Sequence, residues 1–336
     1  MTKQEPLLSV RGLCKHFPIF NKSFFKKQIG AVKASDEINF DLYEGETLGL
    51  VGESGCGKTT TGRSILRAID PTRGSVLFRD GDKTVDLASL QKNELKPLRT
   101  KIQMIFQDPM ASLNPRMTVG DIVGEPLEIH NIGSKEEREK KVVDMLVKVG
   151  LKPDHRTRYP HAFSGGQRQR VGIARALIMN PKLVVCDEAV SALDVSVQAQ
   201  VVNLLQKLQK ELGLTYIFIA HDLSVVKHIC DRIAVMYAGK IVELASSDDL
   251  FANPRHPYTR ALLSAVPSAD PDIPMNMSLS GEVADPGNLP EGCAFHPRCQ
   301  FCEDKCKVVP PPLEKLQDDR CVACINHDRS SAPIDY

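Results

Sequence analysis

Along the first hundred or so residues, apolar and polar positions alternate in short runs set apart by turn residues. "SVRGLCKHF", "INFDLYEGETLGLVG" and "GSVLF" each read as strands. The beat then lengthens. "EEREKKVVDMLVKVG" predicts a helix, because Val142, Leu146 and Val149 fall on one face. "LVVCD" and "TYIFIAHD" are continuous apolar runs rich in β-formers, the pattern of parallel strands buried on both faces. Between them, "VSVQAQVVNLLQKLQKEL" carries helical period at Val197, Val201, Leu204, Leu205, Leu208 and Leu212. Strand, helix, strand is the α/β pattern. "RIAVMYAGKIVELA" predicts a hairpin turning near Ala238, Gly239 and Lys240. From about Asn253 the character changes: prolines recur from Pro254 to Pro312, helical period fades after "YTRALLSAV", and cysteines gather. The pattern divides the chain into 1–252 and 253–336.

Composition sharpens this only in places. A length of 336 residues suggests about two domains, and 42% apolar residues can fill a large core. Basic and acidic residues nearly cancel, 43 against 42, which does not favour a polyanion partner and points away from nucleic acid. No apolar run approaches the roughly 18 residues of a bilayer span. The start "MTKQEPLLSV" lacks an apolar signal core, so a cytosolic location is expected. Six of the ten cysteines lie in the last 44 residues. In a reducing compartment such a cluster is expected to bind metal rather than form disulfides.

"GLVGESGCGKTT" contains Gly52-x-x-x-x-Gly57-Lys58-Thr59 between an apolar strand and the predicted helix "TTTGRSILRAI", the context of a phosphate-binding loop. Gly52, Glu53, Ser54, Gly55, Cys56 and Gly57 would aim backbone N–H groups at phosphate oxygens, with Thr60 beside them. Lys58 would reach the β- and γ-phosphates and Thr59 would hold Mg²⁺. "LVVCDE" ends a buried strand in two carboxylates. Asp187 would bind Mg²⁺ through water, and Glu188 would polarise the attacking water. His221, ending "IFIAHD", could contact the γ-phosphate, and Gln107, in "MIFQDP", could sense both metal and water.

"FSGGQRQRVGIARAL", with Ser164, Gly165, Gly166 and Gln167, resembles the signature motif of ABC-transporter ATPases. The family's other motifs occur in order: the P-loop, the Q-loop Gln107, the signature, Asp187-Glu188, the D-loop "SALD" ending at Asp194, and the switch His221. The resemblance implies a P-loop NTPase of RecA-like α/β fold. It would have an antiparallel β subdomain, a helical subdomain at about 108–165 and a small Cys-rich C-terminal extension. It also implies a head-to-tail dimer in which the signature serves the partner's ATP. Phe17 stands where the family stacks an aromatic ring on adenine. The chain departs from close relatives at Ala189, where they commonly have Pro.

"GESGCGKTTTGR", "QMIFQDPMASLNPRMTVGDIVGEPL", "HPYTRALLSAVP" and the cysteine tail are similar to the ATPases of oligopeptide and dipeptide importers. Cys56 and "SLNPR" look like their F-type subunit. The resemblance implies a peripheral motor on the cytoplasmic face of the plasma membrane. Its partners would be a paralogous D-type ATPase, two permeases and an extracytoplasmic peptide-binding protein. The rival classes are a soluble ABC ATPase on nucleic acid or ribosomes, a metal- or redox-responsive regulator that uses the cysteine cluster as sensor, and an importer of another small substrate. The chain has neither the long coiled-coil insertion nor the second ATPase half of the soluble kinds.

The cysteines allow two readings. Cys299, Cys302, Cys321 and Cys324 have zinc-ribbon spacing. Cys293, Cys299, Cys306 and Cys324 match the pattern that holds a 4Fe–4S cluster in the peptide-importer group, and the resemblance favours them. Arg298 could then compensate the cluster's negative charge. Cys14, Cys56, Cys186 and Cys230 read as ordinary buried or loop thiols. The tail reads as separate from the phosphate site.

Overall fold

The computed structural model describes residues 5–21, 27–264, 284–316 and 320–327. The chain forms two compact units.

One unit comprises Leu7–Leu42, Leu48–Ala88 and His221–Tyr336. Its first sheet is antiparallel, in the order Gln28–Leu42, Leu8–Phe20, Arg73–Asp80, Lys83–Asp86. The stretch "INFDLYEGETLGLVG" is two strands rather than one. Tyr43 and Glu46 close a turn, with Glu46 N–H donating to the Tyr43 carbonyl at 3.2 Å. Gly45 supplies the left-handed backbone there, at φ +77°. Beyond the turn Thr47–Val51 is wholly buried and pairs in parallel with Arg232–Tyr237. The predicted hairpin follows, Arg232–Tyr237 with Lys240–Ser246. Ala238 and Gly239 both have positive φ, as a two-residue primed turn requires. The tail adds Cys321–Val322 to the edge of Lys240–Ser246, and Glu314–Lys315 beyond it. Tyr237, Tyr258 and Phe295 meet ring to ring at 4.7 to 5.4 Å, so tail and hairpin share apolar packing.

The other unit comprises Met1–Pro6, Tyr43–Thr47 and Ser89–Ala220. Ile102–Ile105, Leu183–Asp187 and Thr215–Ile219 form its parallel strands. The last two are wholly buried, in keeping with their unbroken apolar runs. Helix Val195–Leu212 buries Val201, Leu204, Leu205 and Leu208 on the predicted face and stops at left-handed Gly213. Between 108 and 165 the described elements are all helical, chiefly Val119–Ile129 and Lys135–Lys148. Capping boxes start these two helices at Thr118 with Asp121 and at Ser134 with Glu137. Among the described residues no helix is long and apolar enough to cross a membrane.

Candidate functional site

Strand Thr47–Val51 runs into the loop at Gly52, and helix Lys58–Ile65 leaves it. Two of the loop's three glycines are sterically required. A Cβ on Gly57 would sit 1.8 Å from the Ala34 carbonyl oxygen, and one on Gly52 would sit 2.2 Å from that of Met236. Lys58 is 5% exposed. Its Nζ donates to the carbonyls of Gly52 at 2.8 Å and Glu53 at 3.0 Å, which centres the ammonium on the loop. Ser54 and Gly55 are exposed, Thr59 and Thr60 half-buried. Cys56 is buried, and burial pushes its thiol upward, as for an inert packing residue. The same unit carries Phe17 and His221. Phe17 is 39% exposed on its strand, with the Lys15 ammonium 4.9 Å from the ring centre. His221 is exposed, just before Asp222 caps helix Leu223–Ile229.

In the other unit, Asp187 ends its strand fully buried. Glu188 follows at φ +48°, a left-handed backbone uncommon for Glu. Its N–H is tied to the Ile219 carbonyl at 3.0 Å. Gln107 Nε2 donates to Glu188 Oε2 at 2.8 Å, so two residues 81 apart in the chain converge. Ala189 is buried, and Ser191 Oγ donates to the Glu188 carbonyl at 3.0 Å, closing the turn without proline.

Ser164 caps helix Gly165–Leu177. Its hydroxyl accepts the Gln167 N–H, and the Gln167 side chain accepts the Ser164 N–H at 3.1 Å. Ser164 and Gly165 are exposed at that N-terminus. The D-loop packs beside them. A Cβ on Gly166 would lie 2.5 Å from Val197 Cγ1, and one on Gly165 would lie 3.5 Å from Leu193. Asp194 stands at the N-cap of helix Val195–Leu212.

In the tail, Cys293, Cys299, Cys306 and Cys324 line one pocket together with Phe295 and His256. Cys302 and Cys321 do not line it. Burial, with neighbouring thiols adding to it, raises Cys293, lifts Cys299 to about 11 and Cys324 to about 12. Burial pushes His256 down to about 3, and its Nδ1 accepts the Tyr258 N–H, so the ring facing the pocket is neutral. Arg298 has a partner that the sequence did not signal. Its guanidinium is committed to the Glu53 carboxylate of the phosphate loop, at 2.8 and 3.0 Å, and Tyr258 Oη accepts the Glu53 N–H at 2.9 Å. Nothing in the sequence pairs residues 245 apart, and Tyr258 carried no chemical signal.

Cys14, His16 and Asp36 also gather their ligand atoms within 4.8 Å of one another. His16 hydrogen-bonds Asp36 at 2.9 Å, and the Cys14 thiol reaches it at 3.7 Å. Lys33 and Lys240 stand 3.8 and 3.7 Å from the same carboxylate. Burial alone would raise Asp36, but the His16 hydrogen bond and the two ammonium groups outweigh it and hold its pKa down. The carboxylate's charge is thus already compensated, and the cluster reads as structural.

A glycine-built phosphate loop, a buried strand-end carboxylate with Glu beside it and a capped glycine turn define an ATP-binding cassette. Residues 35–191 match the ABC transporter family, and 242–306 match the oligopeptide/dipeptide transporter C-terminal region. A probable peptide ABC transporter ATP-binding protein of Sinorhizobium fredii is 52% identical over 98% of this chain and 91% of its own. The oligopeptide transport ATP-binding protein AppF of Bacillus subtilis is 50% identical over 96% and 97%. Among solved structures, the dimeric cassette MJ0796 bound to ADP and Pi is 30% identical, with a TM-score of 0.62 over 71% of this chain and 98% of its own. The chain belongs to the ATP-binding proteins of ABC transporters. Its fold is the ABC ATPase cassette, and its reaction is hydrolysis of ATP with Mg²⁺.

Proposed function

We propose that the chain is the motor subunit of a peptide importer on the cytoplasmic face of the plasma membrane. It pairs head to tail with a D-type paralogue beneath two permeases, fed by an extracytoplasmic peptide-binding protein. The observation that carries the reading is the joining, in one chain, of the cassette with the C-terminal region of oligopeptide/dipeptide transporters.

The residues divide the labour as follows. The loop from Gly52 to Gly57 cradles the phosphates and Lys58 neutralises them. By resemblance to the family, Thr59, Asp187 and Gln107 would be the residues for Mg²⁺, which would supply charge neutralisation for the phosphates. Glu188 orients the attacking water, and its hydrogen bond from Gln107 fixes the carboxylate for that task. His221 meets the γ-phosphate, and Phe17 offers its exposed ring to adenine. Ser164, Gly165, Gly166 and Gln167 cap the partner's ATP, and Asp194 couples the two sites. Hydrolysis removes the γ-phosphate that bridges P-loop and opposing signature, so the dimer opens.

The tail holds one 4Fe–4S cluster through Cys293, Cys299, Cys306 and Cys324. One observation supports this set over the zinc-ribbon set: these four thiols, and not Cys302 or Cys321, line the pocket. Bound there, the cluster supplies folding energy and a one-electron redox couple.

Purification of the tagged full chain from membranes tests the assignment. The expected complex contains two multi-span permeases and a second ATPase, and peptide-loaded binding protein stimulates its ATP turnover. Recovery with nucleic acid or ribosomes, and without permeases, would overturn it.

A further inference from the structure

We infer that Arg298 and Tyr258 are positioning residues of the nucleotide site, and that through them the filling of the four-thiol pocket sets the affinity for ATP. The second half rests on the metal-bearing tail proposed above. The first half does not.

Glu53 is the second residue of the phosphate loop, and three groups grip it. Its carbonyl accepts from Lys58 Nζ at 3.0 Å. Its N–H donates to Tyr258 Oη at 2.9 Å, and its carboxylate takes both terminal N–H groups of Arg298. Lys58 answers the phosphates, so whatever fixes the Glu53 backbone also fixes one of the ammonium group's two loop carbonyls. The Arg298 side chain is 4% exposed and that of Glu53 21%. A two-pronged pair at that depth is among the stronger hydrogen-bonded contacts.

The pair also has an electrostatic task. A bare carboxylate at this position would repel a triphosphate seated on the loop. Arg298 cancels that charge. It is thus a positive group from the tail that acts on the nucleotide without touching it.

Arg298 is placed by the thiol pocket. It closes the short turn His296–Arg298, directly before Cys299. The turn's backbone is tied in series: His296 N–H to Cys293 O at 2.9 Å, Arg298 N–H to Phe295 O at 3.0 Å, and Cys299 N–H to His296 O at 3.2 Å. Two of the four pocket thiols therefore bracket the arginine. Phe295, itself lining the pocket, packs on Tyr258 at 5.4 Å, and the guanidinium lies 5.9 Å from the rings of both Phe295 and Tyr237. Binding a metal group fixes Cys293 and Cys299, hence the turn, hence the clamp on Glu53. By linkage, bound nucleotide must retain the metal group by the same factor.

Equilibrium binding of Mg–ATP to the full chain, with melting temperature and iron content measured alongside, tests this. Arg298→Ala is expected to raise Kd about tenfold, the scale of one charge-assisted contact. Arg298→Lys should recover part of the loss. Adding Glu53→Gln to Arg298→Ala should recover part as well, because it removes the unmasked charge; a purely structural arginine would show no such rescue. Tyr258→Phe should raise Kd severalfold. Stripping metal from anaerobically prepared wild type should raise Kd, and stripping Arg298→Ala should change it little further. An unchanged Kd in Arg298→Ala, or no rescue by Glu53→Gln, overturns the positioning role. Stripping that leaves wild-type Kd unchanged overturns the coupling. A protein that never carries metal defeats the cluster reading and with it the coupling, while the Arg298 and Glu53 variants still decide the positioning role.

Discussion

Glu188 is held by its backbone and its side chain at once. The left-handed conformation costs about 1–3 kcal/mol and persists because Ile219, Ser191 and Gln107 all bond to the residue. Glu188→Gln keeps size and acceptor, so the turn and the Gln107 contact should survive. What disappears is the charge that orients water. ATP binding should stay within about twofold while turnover falls by about 10² or more, and the closed dimer should accumulate. Single-turnover hydrolysis and gel filtration with ATP would show it, and near-normal turnover would refute the role. The residues proposed to meet phosphate and water could be picked out of the sequence because such chemistry demands particular types at short spacing. The Gln107–Glu188 contact was legible only as two separate residues. The clamp on Glu53 was not legible at all, since an arginine beside cysteines reads as belonging to the cysteines.

At the scale of elements, the signature helix shows how a cap and a binding turn coexist. Ser164 and Gln167 satisfy each other's backbone, leaving the Gly165 end exposed. Gly165→Asp tests its direction of action. A Cβ there meets only Leu193 at ordinary contact distance, and an acid in a first helical turn suits the helix dipole. The fold should therefore hold and the effect be electrostatic. Nucleotide affinity of the isolated subunit should be unchanged, while ATP-driven closure with the partner is lost. Loss of nucleotide binding by the isolated, folded subunit would contradict action on the partner's site. Helices were legible from period, as at Lys135–Lys148. The break of "INFDLYEGETLGLVG" into two strands falls at Gly45, and a second glycine, Gly49, lies inside the buried strand, so glycine alone did not mark the break.

For the whole molecule, the tail's chemistry decides what is being measured. Anaerobic protein should be brown, with about four irons per chain. Cys293→Ser or Cys306→Ser should abolish the iron, and Cys302→Ser or Cys321→Ser should leave it. The reverse pattern, with one zinc per chain, would select the ribbon set. Burial raises Cys293, and lifts Cys299 to about 11 and Cys324 to about 12, so protons compete with metal at neutral pH. Loading should tighten as pH rises, because each thiolate formed releases a proton.

Strand pairing at the tail has a practical consequence for anyone trimming the protein. Every nucleotide motif lies before residue 222, which invites a shortened cassette ending near 252. Such a cut would strip Cys321–Val322, and the Ala323 N–H that donates to the Val242 carbonyl, from strand Lys240–Ser246. That strand is buried over most of its length, and its bared backbone would offer a sticky ladder to other molecules. The shortened protein would then precipitate by edge-to-edge pairing, an effect separate from its loss of Tyr258 and Arg298 at the phosphate loop.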